Sequence, residues 1–173
     1  MTVRKALVSD AEVYGRVVVT AWRAAYKGIV PDEYLAAMDP ANRAKRLVQT
    51  LNETEVLPES PSYVAEINGE IIGILHFDKY SEDTSGDTGE VGAIYLLPEF
   101  WGKGYGRQMM DFAIEDFRRR GYKAAVVWVF EENAQARTFY EKAGFRLTGQ
   151  TKIQNRSKDL VVVEMKLELE GVS

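Results

Sequence analysis

The sequence predicts an α/β domain built on a mixed sheet. Three observations carry that reading: β-rich runs alternate with helical periodicities, two of those runs flank an Asn68-Gly69 turn, and a strand closing at Leu97 feeds through a glycine-rich loop into an amphipathic helix. A chain of 173 residues can bury one core, so residues 1–173 are expected to form a single domain.

Thr2 to Leu7 reads as a first strand. Ser9 and Glu12 form an S-x-x-E box that opens a helix to about Tyr26, with Val13, Val17, Ala21 and Ala24 or Ala25 on one face, and Lys27-Gly28 stops it. A short helix follows from Pro31 to Met38. Asp39-Pro40 caps another that ends near Asn52. Glu53 to Pro61, with two prolines, is expected to be a loop. Ser62 to Ile67 and Glu70 to Phe77 form a hairpin around Asn68-Gly69. Lys79 to Gly89 reads as a mobile acidic loop, and Val91 to Leu97 as the strand before the glycines. Met110, Ala113, Ile114 and Phe117 then lie at helical spacing up to Gly121. Ala124 to Phe130 is a continuous apolar run, expected as a strand covered on both faces. Asn133 caps a helix carrying Ala136, Phe139, Tyr140 and Ala143, and strands at about Phe145 to Ile153 and Leu160 to Leu169 complete the chain.

Composition excludes several chemistries. With no cysteine there is no thiolate nucleophile, disulfide or cysteine metal site, and a lone histidine, His76, leaves little for zinc, so no metal is expected. No apolar run suits a signal peptide or a bilayer span, which predicts a cytoplasmic protein with no membrane partner. A net charge of −4 argues against a nucleic-acid partner and favours a cationic acceptor.

Trp101-Gly102-Lys103-Gly104-Tyr105-Gly106-Arg107 sets three glycines at alternate positions between a strand and a helix. Unpaired N–H groups at the helix start and close backbone approach suit a pyrophosphate, and Lys103 and Arg107 add charge. Taken alone, the pattern also fits a plain turn. A Rossmann loop would need an acidic residue about twenty positions on, where the chain has Lys123-Ala-Ala-Val-Val-Trp128, and a Walker loop would need Gly-Lys-Ser/Thr.

The stretch from Ile94 to Arg107 resembles the acetyl-CoA-binding signature of the GNAT superfamily of N-acetyltransferases. A second block, Asn133-Ala-Gln-Ala-Arg-Thr-Phe-Tyr-Glu-Lys-Ala-Gly-Phe145, is similar to that family's N-x-x-A-x-x-F-Y-x-x-x-G-F segment. Trp101 departs from the pattern, standing where Gln or Arg is usual. The resemblance implies a GNAT-like fold, a mostly antiparallel twisted sheet of about seven strands flanked by helices. It also implies acetyl-CoA as cosubstrate. Backbone of Ile94, Tyr95 and Leu96 would pair with the pantetheine arm, residues Gly102, Lys103, Gly104, Tyr105, Gly106 and Arg107 would hold the pyrophosphate, and Asn133 would contact the cofactor.

Acetyl transfer to an amine requires the neutral amine, yet a lysine-like group has a pKa of ~10.4 and needs a base. An N–H near Leu96 would stabilise the oxyanion, and Tyr140 is the family position for the acid that protonates the thiolate. Ribosomal-protein alanine acetyltransferases of the superfamily carry a glutamate five residues before the asparagine; here that position is Trp128. Glu90 is therefore the expected base, directly or through a water, with His76 next in line. Trp22, Tyr26, Tyr34 and Phe77 are expected to line the acceptor groove. A peptide terminus as acceptor and a non-catalytic acyl-CoA sensor remain alternatives, and oligomeric state stays open, a homodimer included.

Overall fold

A computed structural model describes residues 1–54 and 62–169. Its elements follow the expected order: β1 (Thr2–Lys5), α1 (Ala11–Ala25), α2 (Asp32–Ala37), α3 (Pro40–Thr54), β2 (Ser62–Ile67), β3 (Glu70–Lys79), β4 (Thr88–Leu96), α4 (Tyr105–Arg119), β5 (Ala124–Phe130), α5 (Ala134–Lys142), β6 (Arg146–Asn155) and β7 (Asp159–Glu168). They form a seven-stranded sheet in the order β1-β2-β3-β4-β5-β7-β6. Every neighbouring pair is antiparallel except β4 and β5, which run parallel, as a connection through α4 requires.

Apolar side chains divide between the two faces. Under α4 and α5 lie Phe77, Met109, Met110, Phe117, Val127 and Phe145. Against α1, α2 and α3 lie Val17, Trp22, Leu47, Ile74, Phe130 and Val162. β5 sits between the two layers, which explains its unbroken apolar run. Phe77, Phe117 and Phe145 are wholly buried, each worth roughly 1.5–3 kcal/mol of transfer free energy.

Several boundaries differ from the sequence reading, for local reasons. Ser9 and Glu12 do not form the cap of α1. Instead the Asp10 carboxylate accepts the Leu7 N–H at 2.8 Å and is held by Arg4 at 2.7 Å, while Glu12 pairs with Arg16. The acidic loop shrinks to residues 80–87, because Asp83 folds it back by accepting the N–H groups of Ser85 (3.0 Å) and Asp87 (2.9 Å), so β4 starts at Thr88. Of the loop expected at Glu53 to Pro61, residues 53–54 close α3, and residues 55–61 lie outside the described residues. Asn133 caps α5 as expected, its Oδ1 accepting the Ala136 N–H at 3.1 Å.

Candidate active site

β4 and β5 pair only at Thr88, Gly89 and Glu90, opposite Ala124, Ala125 and Val126. Beyond Glu90 the two strands separate. β4 stays paired to β3 as far as Leu96, so between Val91 and Leu96 its other edge has no strand partner among the described residues. Apart from the Leu96 carbonyl, which accepts a side-chain N–H, backbone groups on that edge can pair with an extended ligand, as an open sheet edge does. A cavity of about 480 Å³ occupies the gap, running from the glycine loop past Ile94, Tyr95 and Leu96 to Asn133, Phe139 and Tyr140 on the α5 side. Ala21 and Ala25 of α1 also line it.

The glycine loop supplies the polar end. Gly102 and Gly104 have φ of 71° and 83°, in the left-handed region, and Gly104 is the N-cap of α4. A Cβ on either would meet no protein atom within 4 Å, so the left-handed backbone and not crowding is what disfavours a side chain there; both line the cavity. Gly106 packs on Phe139, where a Cβ would lie 3.4 Å from the ring, and so joins the start of α4 to α5. Arg107 lines the cavity, pairs with Asp111 and donates to the Lys142 carbonyl. Trp101 donates its indole N–H to the Leu96 carbonyl at 2.7 Å, tying the loop back to the end of β4. The open strand edge, the exposed N–H groups opening α4 and the vacant space over left-handed glycines together fit an extended amide-bearing arm ending in a pyrophosphate.

A second opening faces α1. β4 carries a bulge at Gly92: His76 and Phe77 are consecutive on β3, yet their partners are Ala93 and Val91. The bulge re-phases the strand, so that Glu90 before it and Tyr95 after it line the same groove, about 270 Å³ in volume, together with Trp22, Tyr26 and Trp128. Tyr95 also lines the larger cavity and is where the two openings meet. The Tyr26 and Tyr95 hydroxyl oxygens are 3.5 Å apart, and Tyr140 is close enough to influence both electrostatically.

Burial sets the protonation states here. It pushes the Tyr140 phenol well above its ordinary value, and Tyr95 adds to the shift, so the hydroxyl keeps its proton at neutral pH. Burial likewise raises Glu90, assisted by Glu82, Glu164 and Asp78 and opposed by Lys152. His76 is lowered by burial, is neutral at pH 7, and shares Nδ1 with the Ser62 hydroxyl at 3.1 Å. It lines a neighbouring groove of about 320 Å³ with Tyr14, Trp22 and Tyr95.

Not every expected residue reaches these openings. Phe77 is 0% exposed on the opposite face of β3 from His76, stacked on Tyr63 at 5.1 Å and against Phe117, and belongs to the core under α4. Tyr34 stands behind Trp22 at 6.4 Å. Lys103 lies over the Phe100 ring at 5.4 Å and Tyr105 packs on the same ring, both beside the cavity rather than in its lining.

The family described as Acetyltransferase (GNAT) family matches residues 21–145. This chain belongs to the GNAT family of acetyltransferases. An uncharacterized N-acetyltransferase of Archaeoglobus fulgidus is 31% identical over 148 residues, 84% of this GNAT chain and 93% of that protein. YuaI of Bacillus subtilis, an uncharacterized N-acetyltransferase, is 29% identical over 134 residues, 77% of this chain and 73% of its own. Among solved structures, the PaiA N-acetyltransferase of Thermoplasma acidophilum in complex with coenzyme A has the same fold at TM-score 0.77 and 20% identity, covering 96% of this chain and 98% of that one. A Salmonella typhimurium protein solved with its cofactor acetyl-CoA gives TM-score 0.72 at 24% identity, covering 100% of this chain and 96% of that one.

Sequence reasoning missed Arg43 and Arg156, which border the α1-side grooves of this GNAT fold from α3 and from the β6–β7 turn. Neither belongs to a motif, and both arrive through long-range packing. Gln135 and the small residue Ala136 of α5 also line the large cavity. Their signal was present in the helical stripe that contains Asn133 and Tyr140.

Proposed function

We propose that the chain, acting as one domain, transfers an acetyl group from acetyl-CoA to a primary amine, by direct attack with both substrates bound. The observation that carries the reading is the join at Tyr95 between a cavity shaped for an extended acyl carrier and a separate groove containing Glu90. Two substrates entering from opposite sides would meet there.

Acetyl-CoA would supply an activated thioester. Its arm would lie along Ile94, Tyr95 and Leu96, and its pyrophosphate on the N–H groups of residues 102 to 107. Glu90, with its raised pKa, is suited to take the ammonium proton near neutral pH, directly or through water. Tyr140 keeps its proton at the same pH and lines the cavity, which suits it to protonate the departing thiolate. Trp22 and Tyr26 would hold the amine between α1 and β4, with Tyr34 behind them. The protein has no helix among the described residues long and apolar enough to cross a membrane.

The test is CoA release on a panel of polyamines, amino acids, aminoglycosides and peptides, with acetyl-CoA affinity measured in parallel by calorimetry. Turnover with at least one amine supports transfer. Micromolar acetyl-CoA binding without turnover on any class would favour an acyl-CoA sensor instead.

A further inference from the structure

Trp22 is approached by two guanidinium groups from different parts of the chain. Arg43 Cζ, from α3, lies 5.6 Å from the ring centroid, and Arg156 Cζ, from the turn joining β6 and β7, lies 5.9 Å from it. Trp22 lines both α1-side grooves, with Arg43 bordering one and Arg156 the other. Among the described residues neither arginine forms an ion pair. Lys152, the other cation in the Arg156 groove, differs: it is paired with Glu82.

Arg156 is not satisfied by its own turn. Its terminal nitrogens donate to the Asn155 carbonyl at 2.8 Å and to Gln154 Oε1 at 3.1 Å, while Nε is buried without a hydrogen-bond partner. Stacking on a tryptophan offsets part of the cost of desolvating a guanidinium, but two like charges on one ring repel, and an unpaired buried donor costs more still. An arriving anion would relieve both terms. The same groove contains Glu90, an acid with no ion-pair partner among the described residues. The walls therefore offer unpaired positive charge around Trp22 and unpaired negative charge where the amine must deprotonate.

We propose that the acceptor is an amine that also carries an anionic group, a zwitterion of amino-acid type, with the anion held by Arg43 and Arg156 beside Trp22 and the ammonium directed to Glu90. This rests on the acetyl-transfer reading and narrows it. The net charge of −4 suggested a cationic acceptor, but the charge lining the groove is what a bound substrate meets.

Equilibrium binding in the presence of CoA, and CoA release, are measured for the common α-amino acids, each beside its carboxamide, and for 2-aminoethylphosphonate beside ethylamine. The variants are Arg43→Met, Arg156→Met and, as a control on the same turn, Lys158→Met. An acid should bind at least about tenfold tighter than its neutral partner, through the charge-assisted pairs. Either arginine variant should remove most of that preference by raising KM, with acetyl-CoA affinity retained as proof of folding, and Lys158→Met should keep the preference. The carboxylate and phosphonate series decide which anion is taken. Equal binding of charged and neutral partners, whether tight or undetectable, overturns the proposal, as does a preference that survives both arginine variants. Discrimination between acid and carboxamide with no CoA release on any amine would instead overturn the transferase reading and leave anion recognition standing.

Discussion

Tyr140 and Glu90 divide the proton transfers of the proposed reaction by position, one in the acyl-carrier cavity and one in the amine groove. Tyr140→Phe removes only the phenolic hydroxyl, from a side chain that forms no hydrogen bond among the described residues. We expect kcat to fall by ~10²-fold or more while acetyl-CoA affinity and Tm stay near those of the parent. An unchanged kcat on a substrate limited by chemistry would reduce Tyr140 to packing. For Glu90 the raised pKa gives two signed consequences. Activity needs the carboxylate, so Glu90→Gln should lose most at neutral pH and recover part at high pH, where free amine accumulates in solution. Stability runs the other way. A folded-state pKa above the unfolded one favours folding while the group is protonated and disfavours it once pH rises through the folded value. Glu90→Gln should therefore melt above the parent at pH 8, and the difference should vanish below the ordinary carboxylate pKa. A variant with the parent's rate profile would move the base elsewhere, with His76 next to test.

At the scale of the elements, strand phase decides what the sequence could reveal. Side chains alternate along a strand, so the consecutive residues His76 and Phe77 cannot both face the amine groove. The structure turns His76 toward the α1 side, into the groove next to that of Glu90, and Phe77 goes to the core. The opposite error was available in β4, where plain alternation would separate Glu90 and Tyr95, five positions apart. The bulge at Gly92 brings them together, and a glycine inside a strand run was the only trace of it. The motif elements were legible because their function rests on backbone: a glycine loop, a capping asparagine and a helical stripe each state their geometry locally. Arg43 and Arg156 were not, since their meeting at Trp22 depends on how α3 and a distant hairpin pack on α1. The loop also yields a clean test. Gly104 has φ of 83° and open space where a Cβ would point, and aspartate is among the residues that tolerate this conformation best. Gly104→Asp should thus fold, yet weaken acetyl-CoA binding by tenfold or more in calorimetry, because its charge would face the pyrophosphate in the proposed mode of binding. Parental affinity would remove the loop from the site.

Across the whole molecule, the sheet is joined in its middle by little. β1 to β4 form one continuous antiparallel half and β5, β7 and β6 the other, and their ladder consists of Thr88, Gly89 and Glu90 against Ala124, Ala125 and Val126. The remaining connection runs through α4 and through side chains on both faces, such as Phe117 against Phe77 on one and Ile74 with Phe130 and Val162 on the other, and through the Tyr80 hydroxyl donating to Glu164 at 2.9 Å. A ligand lying in the gap, with its arm on the β4 edge and its pyrophosphate at the start of α4, would act as an extra strand bridging both halves. Binding to the native state alone raises stability by RT ln(1 + [L]/Kd), about 2.7 kcal/mol at a hundredfold excess over Kd. For a chain of this length that is a rise in Tm of roughly 5–10 °C. The bridge also specifies where the gain is felt. Amide exchange should slow for Ile94 to Leu96 and residues 102 to 107, where N–H groups gain partners, and change least in β1 and β2, which lie beyond β3 from the gap. We expect acetyl-CoA to produce both effects in the parent, and smaller ones at equal concentration in Gly104→Asp, where a tenfold loss of affinity would cut the stabilisation to about 1.4 kcal/mol. A thermal shift with exchange protection spread evenly over β1 and β2 would mean that the ligand stabilises the molecule from some other surface, and the gap between β4 and β5 would lose its assignment.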